Sequence, residues 1–101
     1  MKTRDVVMVR VYITESSHLL NTMVNHLTKE VQIRGVSVFR AISGFGETGA
    51  HVASLMDLSL DLPLVIEFFD VKNKVDLAID YLNTMVKAEH VVFWDAKVNH
   101  S

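Results

Sequence analysis

The chain of 101 residues contains no cysteine. Disulfides, a thiolate nucleophile and cysteine-ligated zinc are therefore excluded. It has one proline, Pro63, and four glycines, of which Gly44, Gly46 and Gly49 fall in the single stretch Ser43-Gly44-Phe45-Gly46-Glu47-Thr48-Gly49-Ala50-His51. No run of lysines or arginines occurs and the formal net charge is −2, so nothing draws the chain as a whole to nucleic acid. No apolar stretch reaches the length needed to cross a bilayer. Met1-Lys2-Thr3-Arg4-Asp5 leads into a short apolar run broken by Arg10, which is not the layout of a signal peptide. These absences set the expectation of a cytoplasmic protein that neither inserts into membranes nor binds nucleic acid.

Half of the residues are hydrophobic, a large share for a chain of this length. The length predicts a single domain spanning residues 1–101. A core this small cannot enclose so much apolar surface, so self-association is expected.

Val6 to Ile13 is almost continuously apolar and rich in β-branched residues, which favours a strand. Val7, Val9, Val11 and Ile13 share one face; Met8, Arg10 and Tyr12 share the other. Ser16 or Ser17 can cap a following helix, whose stripe is Leu20, Val24, Leu27 and Val31. Gly35 is its expected stop. Val36 to Ile42 reads as a second, more mixed strand of the kind found at a sheet edge.

The glycine-rich stretch then predicts a sharp strand end and a long loop from Gly44 to Asp61. Glycine permits positive φ and close approach of another backbone or a ligand, and loops of this length in compact domains are usually functional. Val52, Leu55 and Met56 sit at helical spacing, enough for one turn. Pro63 suits the first residue of a strand, and Leu64 to Phe69 is a second apolar strand. Asp70 or Asn73 can cap a second helix with the stripe Val75, Ala78, Ile79, Leu82, Met85 and Val86. Val91 to Val98 closes the chain as a strand, with Asn99-His100-Ser101 as a tail.

Strand, helix, strand, strand, helix, strand is the ferredoxin-like βαββαβ plan. Right-handed crossovers place both helices on one face of a four-stranded antiparallel sheet. The first and third strands become central, and the face without helices needs another cover, which a partner subunit supplies.

No motif supports catalysis. Asp57, Asp61, Glu67 and Asp70 are scattered over a loop, a strand and a turn, and Ser16 and Ser17 are better used as caps. The histidines His18, His26, His51, His90 and His100 lack the i, i+4 spacing and the closed ligand set of a metal site. Arg10 and Arg40 each interrupt an apolar strand face, where a charge needs a partner; Glu67, Asp95 or a neighbouring subunit can provide one.

On Val9-Arg10-Val11-Tyr12-Ile13, Gly35-Val36-Ser37-Val38-Phe39-Arg40 and Leu62-Pro63-Leu64-Val65-Ile66-Glu67 the chain resembles the PII-like signalling superfamily, in its domain-of-unknown-function branch. Gly44-Phe45-Gly46 is similar to the start of the PII T-loop, and Phe93-Trp94-Asp95-Ala96-Lys97-Val98 to the last PII strand. The resemblance implies a non-enzymatic, signal-transducing homotrimer without a resident cofactor. It implies intersubunit clefts that bind a small effector, such as an adenine nucleotide, against Gly44, Phe45, Gly46, Glu47, Thr48 and Gly49. It further implies a T-loop, residues 44–61, that contacts a protein target such as a membrane transporter. Two departures from PII proteins stand out. Glu47, Thr48 and Gly49 replace a basic, amide-bearing run, and Lys87-Ala88-Glu89-His90 replaces a glycine-rich, lysine-ending turn. A carboxylate at Glu47 repels phosphate, so a ligand less charged than ATP with magnesium is expected. The alternatives are a trimeric divalent-metal-binding protein of the cation-tolerance type, which shares the fold, and a structural trimer without a ligand.

Overall fold

The computed structural model describes residues 1–46, 49–52 and 63–100, with the backbone alone described from 43 to 52. Strands β1 (Thr3–Thr14), β2 (Val36–Arg40), β5 (Pro63–Asp70) and β6 (Val91–Asn99) form one sheet in the order β2-β5-β1-β6. All its neighbouring pairs are antiparallel. Helix α1 starts at Leu20–Asn25 and continues as a wider π turn over His26–Glu30; helix α2 is Lys72–Leu82. This is the ferredoxin-like arrangement, with the two apolar strands at its centre as predicted.

Register decides which side chains meet the helices. Val9 lies opposite Phe68 and Phe93, Val11 opposite Ile66 and Val91, and Ile13 opposite Leu64. Directly opposed residues share a face. Val7, Val9, Val11, Ile13, Leu64, Ile66 and Phe68 are therefore buried together with Met23 and Leu27 of the first helix and Val75, Ala78 and Leu82 of α2. Each fully buried aliphatic or aromatic side chain here contributes about 1.5–3 kcal/mol relative to exposure. The stripe predicted for α2 forms through Val75, Ala78, Ile79 and Leu82, but the helix ends at Leu82, so Met85 and Val86 pack on the core from the turn that follows.

The helix ends differ from expectation. Ser16 and Ser17 do not cap α1. They lie in or beside a tight turn over Glu15–Ser17, where the Ser17 hydroxyl donates to Thr14 O at 2.6 Å and His18 adopts a left-handed φ of 58°. The first helix also closes before Gly35. Val31 N–H bonds His26 O across the π turn, and Gln32 takes the left-handed conformation with φ 65°. That reversal turns Ile33 into the core, where it is 3 % exposed. Neither Asp70 nor Asn73 caps α2, whose N-cap residue is Val71 with no side-chain cap. Asp70 is instead a buried tie. Its carboxylate accepts from Val71 N–H at 2.8 Å and Arg34 N–H at 3.4 Å, and Lys74 reaches from α2 to Gln32 O at 3.1 Å.

The largest correction concerns the long loop. Ser43–Gly46 is a strand, β3, paired antiparallel with β4, Gly49–Val52, so the glycine-rich stretch builds a second, two-stranded sheet. Val52, expected in a helical turn, belongs to β4; Leu55, Met56 and the remainder of the expected loop to Leu62 lie outside the described residues. The second strand ends at Arg40 rather than Ile42. The C-terminal stretch is less of a tail than its composition suggests. Asn99 pairs with Thr3, and His100 N–H bonds Lys2 O at 3.0 Å.

Candidate functional site

One end of the main sheet gathers the elements of interest. Thr14 opposes Pro63 and Arg40 opposes Leu64, so the end of β1, the end of β2 and the start of β5 lie side by side. Ala41 N–H bonds Pro63 O at 2.9 Å. The chain therefore leaves the sheet toward β3 and returns into β5 at adjacent points. Val11 opposes Val91, which brings the tight turn Ala88–His90, just before β6, to the same end.

At this root, Arg40 projects from the helix-side face of β2 and forms an ion pair with Glu15, just after β1. Glu15 Oε1 is withdrawn from solvent and accepts no hydrogen bond, so the charge contact with Arg40 holds it. Of the partners expected for the two arginines, which were Glu67, Asp95 or a neighbouring subunit, Glu67 pairs with Arg10, whereas Arg40 takes Glu15 of the β1–α1 turn. Beside the pair opens a cleft of about 460 Å³ lined by Glu15, His18, Leu20, Asn21, Val38 and Arg40. Its cation, carboxylate, imidazole and amide stand over an apolar wall, a mixture suited to orienting a small polar ligand. Glu15 was not singled out from the sequence, and His18 only among the histidines weighed for a metal. Their shared signal was a polar cluster directly after an apolar strand.

The residues predicted to bind ligand are partly brought together. Gly44 opposes His51, Phe45 opposes Ala50, and Gly46 opposes Gly49. Glu47 and Thr48 lie outside the described residues. In a two-stranded antiparallel ladder, alternate residues turn their N–H groups toward the partner and the others turn them outward. The glycine backbone therefore presents a strand edge with every second N–H available, in place of a fully open loop.

The helix-free face carries a second constellation. Three rows cross it: Phe39, Val65 and Tyr12; then Glu67, Arg10 and Val92; then Phe69, Met8 and Trp94. Arg10 Nε donates to Glu67 Oε2 at 2.8 Å, and its guanidinium lies 5.5 Å from the Trp94 ring centroid. The hydrogen bond to Glu67, and then its charge, hold the Arg10 pKa above the ordinary arginine value. Around this pair Phe39, Phe69, Tyr12, Val92 and Trp94 are all exposed, Phe39 at 54 %. A contiguous apolar patch of this kind marks an interaction surface.

The other candidates have structural roles or lie elsewhere. His26 stacks on Tyr81 with ring centroids 3.6 Å apart, joining the first helix to α2. Glu67 and Asp70 are engaged as above, whereas Asp57 and Asp61 lie outside the described residues. No group of three or more histidines and carboxylates able to hold a metal occurs among the described residues. No helix among them is long and apolar enough to cross a membrane.

Comparison with known proteins agrees with this geometry. The model of the DUF190 family, described as an uncharacterized ACR, matches residues 6–98. UPF0166 protein MJ1524 of Methanocaldococcus jannaschii is 24% identical over 82 residues, which are 77% of this chain and 76% of that protein. Among solved structures, CPII, a nitrogen regulatory PII-like protein of Thiomonas intermedia bound to ADP, AMP and bicarbonate, superposes with a TM-score of 0.77 at 17% identity, over 98% of this chain and 92% of that one. The divalent ion tolerance protein CutA1 of Ehrlichia chaffeensis superposes with a TM-score of 0.59 at 11% identity, over 95% and 83% of the two chains.

Proposed function

The chain belongs to the DUF190 family and carries the PII-like fold, and from that premise we propose that it is a non-enzymatic, cytoplasmic regulatory protein formed by a single domain. Three copies pack through their helix-free faces, and the clefts between them take a small effector of the adenine nucleotide class. The 44–61 segment carries the state of the cleft to a protein target, such as a membrane transporter.

One observation carries the reading most directly. The β3–β4 hairpin leaves the sheet at the end that also carries the Glu15–Arg40 cleft and the Ala88–His90 turn. A ligand held at that root touches both departing strands, so its binding free energy depends on how the hairpin is set. A ligand shifts a conformational equilibrium only by such a difference in affinity. In this assignment Gly44, Phe45, Gly46 and Gly49 supply backbone and an apolar face, Glu47 and Thr48 complete the connection, and Arg40 supplies a positive charge. Exchange of the Glu15 carboxylate for a ligand phosphate on Arg40 is the switch step.

CPII, which shares the fold, was captured with ADP, AMP and bicarbonate. Glu47 and the absence of glycine from Lys87-Ala88-Glu89-His90 favour such ligands over ATP with magnesium. Isothermal calorimetry with AMP, ADP and ATP, with and without magnesium, tests the assignment. Saturable binding of AMP or ADP that weakens in Arg40→Ala supports it. Absence of binding by all three, or tight binding of ATP with magnesium only, refutes it.

A further inference from the structure

The cleft at the hairpin root is built on the helix side of the sheet. Ile13, Leu64 and Arg40 form one row across β1, β5 and β2, and Val38 lies in the next row, opposite Ile66. Ile13, Leu64 and Ile66 belong to the core, so the cleft is turned away from the helix-free face assigned to partner subunits.

Glu15 reaches over this row from the turn after β1 and meets Arg40 on the far side of β5. Its side chain is only 27 % exposed. Arg40 is its one charge partner among the described residues, and Oε1 accepts no hydrogen bond from them. The turn itself is held independently of this pair. His18 N–H bonds Glu15 O at 3.2 Å, and the Ser17 hydroxyl bonds Thr14 O at 2.6 Å. Glu15 therefore changes partner by rotation of its side chain, with its backbone in place.

An anion that takes Arg40 strips the carboxylate of this partner. The complex then bears the cost of a half-buried, unpaired carboxylate with a second negative charge beside it. A ligand that donates hydrogen bonds to Glu15 removes that cost. An ionised carboxylate only accepts, through two oxygens. The vicinal hydroxyls of a ribose are two O–H donors carried close to a 5′ phosphate, and they match that pair. Carboxylates take a ribose hydroxyl in this manner in dinucleotide-binding folds.

Resting on the nucleotide assignment above, we propose that Glu15 is the sugar-reading residue of the cleft: it yields Arg40 to the ligand phosphate and takes the 2′ and 3′ hydroxyls of the ribose. One side chain thus latches the empty cleft and selects its occupant, a 5′-phosphorylated ribonucleoside in preference to a deoxyribonucleoside. Val38 and Leu64 supply the apolar wall against which the sugar lies. His18 and Asn21 line the same cleft. A carboxylate that turned to either of them would be satisfied without the sugar, and ribose and deoxyribose would then bind alike.

The test is calorimetry on the full chain in its native assembly, with AMP and ADP against their 2′-deoxy counterparts. Wild type should bind the ribonucleotides about tenfold more tightly, the worth of one hydrogen bond to a charged group. In Glu15→Ala the preference should vanish, and 2′-deoxy-AMP should bind more tightly than it does to wild type, because no latch has to be opened. Should Glu15→Ala fail to fold, as judged by circular dichroism, the wild-type preference decides alone. Equal affinity of wild type for ribo and deoxy forms, or a preference that survives in folded Glu15→Ala, overturns the proposal and leaves the nucleotide assignment standing. Absence of binding by AMP and ADP alike overturns both.

Discussion

Arg10 and Glu67 face one another across the two central strands, their side chains joined at 2.8 Å in the middle of an otherwise apolar, helix-free face. The pair is partly open to solvent, and exposed pairs contribute little to folding. Its larger consequence is for assembly, because a charge pair satisfied within the subunit can be covered by a partner at lower cost than a lone arginine. The wild-type protein should therefore scatter light as three copies of an 11.4 kDa chain. Arg10→Glu sets two carboxylates directly opposite and should yield monomers that retain their helical circular dichroism. A monomeric wild type, or an intact trimer in Arg10→Glu, contradicts the assignment of this face.

Gly46 pairs with Gly49 at the closed end of the hairpin. A valine at position 46 suits a strand but fills the space that a ligand needs against the backbone. Gly46→Val should weaken AMP or ADP binding by about tenfold or more while the assembly mass stays constant. Calorimetry decides this, and unchanged affinity removes the hairpin backbone from the site.

Amide exchange should alternate in rate along Gly44–Gly46 and Gly49–Val52, because alternate N–H groups point inward. It should still be faster there than in β1 and β5, since a lone two-stranded ribbon is marginally stable. Uniformly fast exchange over both strands would argue against a persistent β3–β4 ladder in the free protein.

Phe68 is 2 % exposed and packs among Val9, Ile66 and residues of the helix layer. Phe68→Ala should destabilise the fold by about 3–5 kcal/mol. Leu77→Ala, at a position 61 % exposed on α2, should stay within about 0.5 kcal/mol of wild type. Urea denaturation of the two variants checks the contrast.

Lys97 binds Asp5 at 2.6 Å across β1 and β6, and that hydrogen bond, followed by the carboxylate's charge, raises its pKa above the ordinary 10.5. A cation with a raised pKa stabilises the fold fully below the unfolded value and ceases to do so as pH rises through the folded value. The difference in melting temperature between wild type and Asp5→Asn should hence be small and constant from about pH 6 to 9, shrinking only in the alkaline range above ordinary lysine titration. A difference that varies across neutral pH would point to another titrating group.

The sequence by itself determined the main sheet and its two helices. Alternation of Val7, Val9, Val11 and Ile13 against Met8, Arg10 and Tyr12, and the 3.6-residue stripe of α2, record burial directly, because each period matches one backbone geometry. The same patterns exposed the need to cover the helix-free face, and Arg10 with Glu67 was among the pairings they allowed. Only the tertiary structure decided where the charges and turns of the site meet. Glu15 and Arg40 are far apart in the chain, and their contact follows from β2 and β1 flanking the same strand, β5. Gln32, not Gly35, reverses the chain after the first helix, because the pull of Ile33 into the core overrides the local preference for glycine. The pairing of Ser43–Gly46 with Gly49–Val52 escaped a reading that took glycine as a breaker of regular structure, since cross-strand hydrogen bonds leave no mark in a glycine-rich sequence that lacks alternating side chains. Periodic burial is written locally along a chain, whereas pairings between distant segments exist only once the sheet has brought them together.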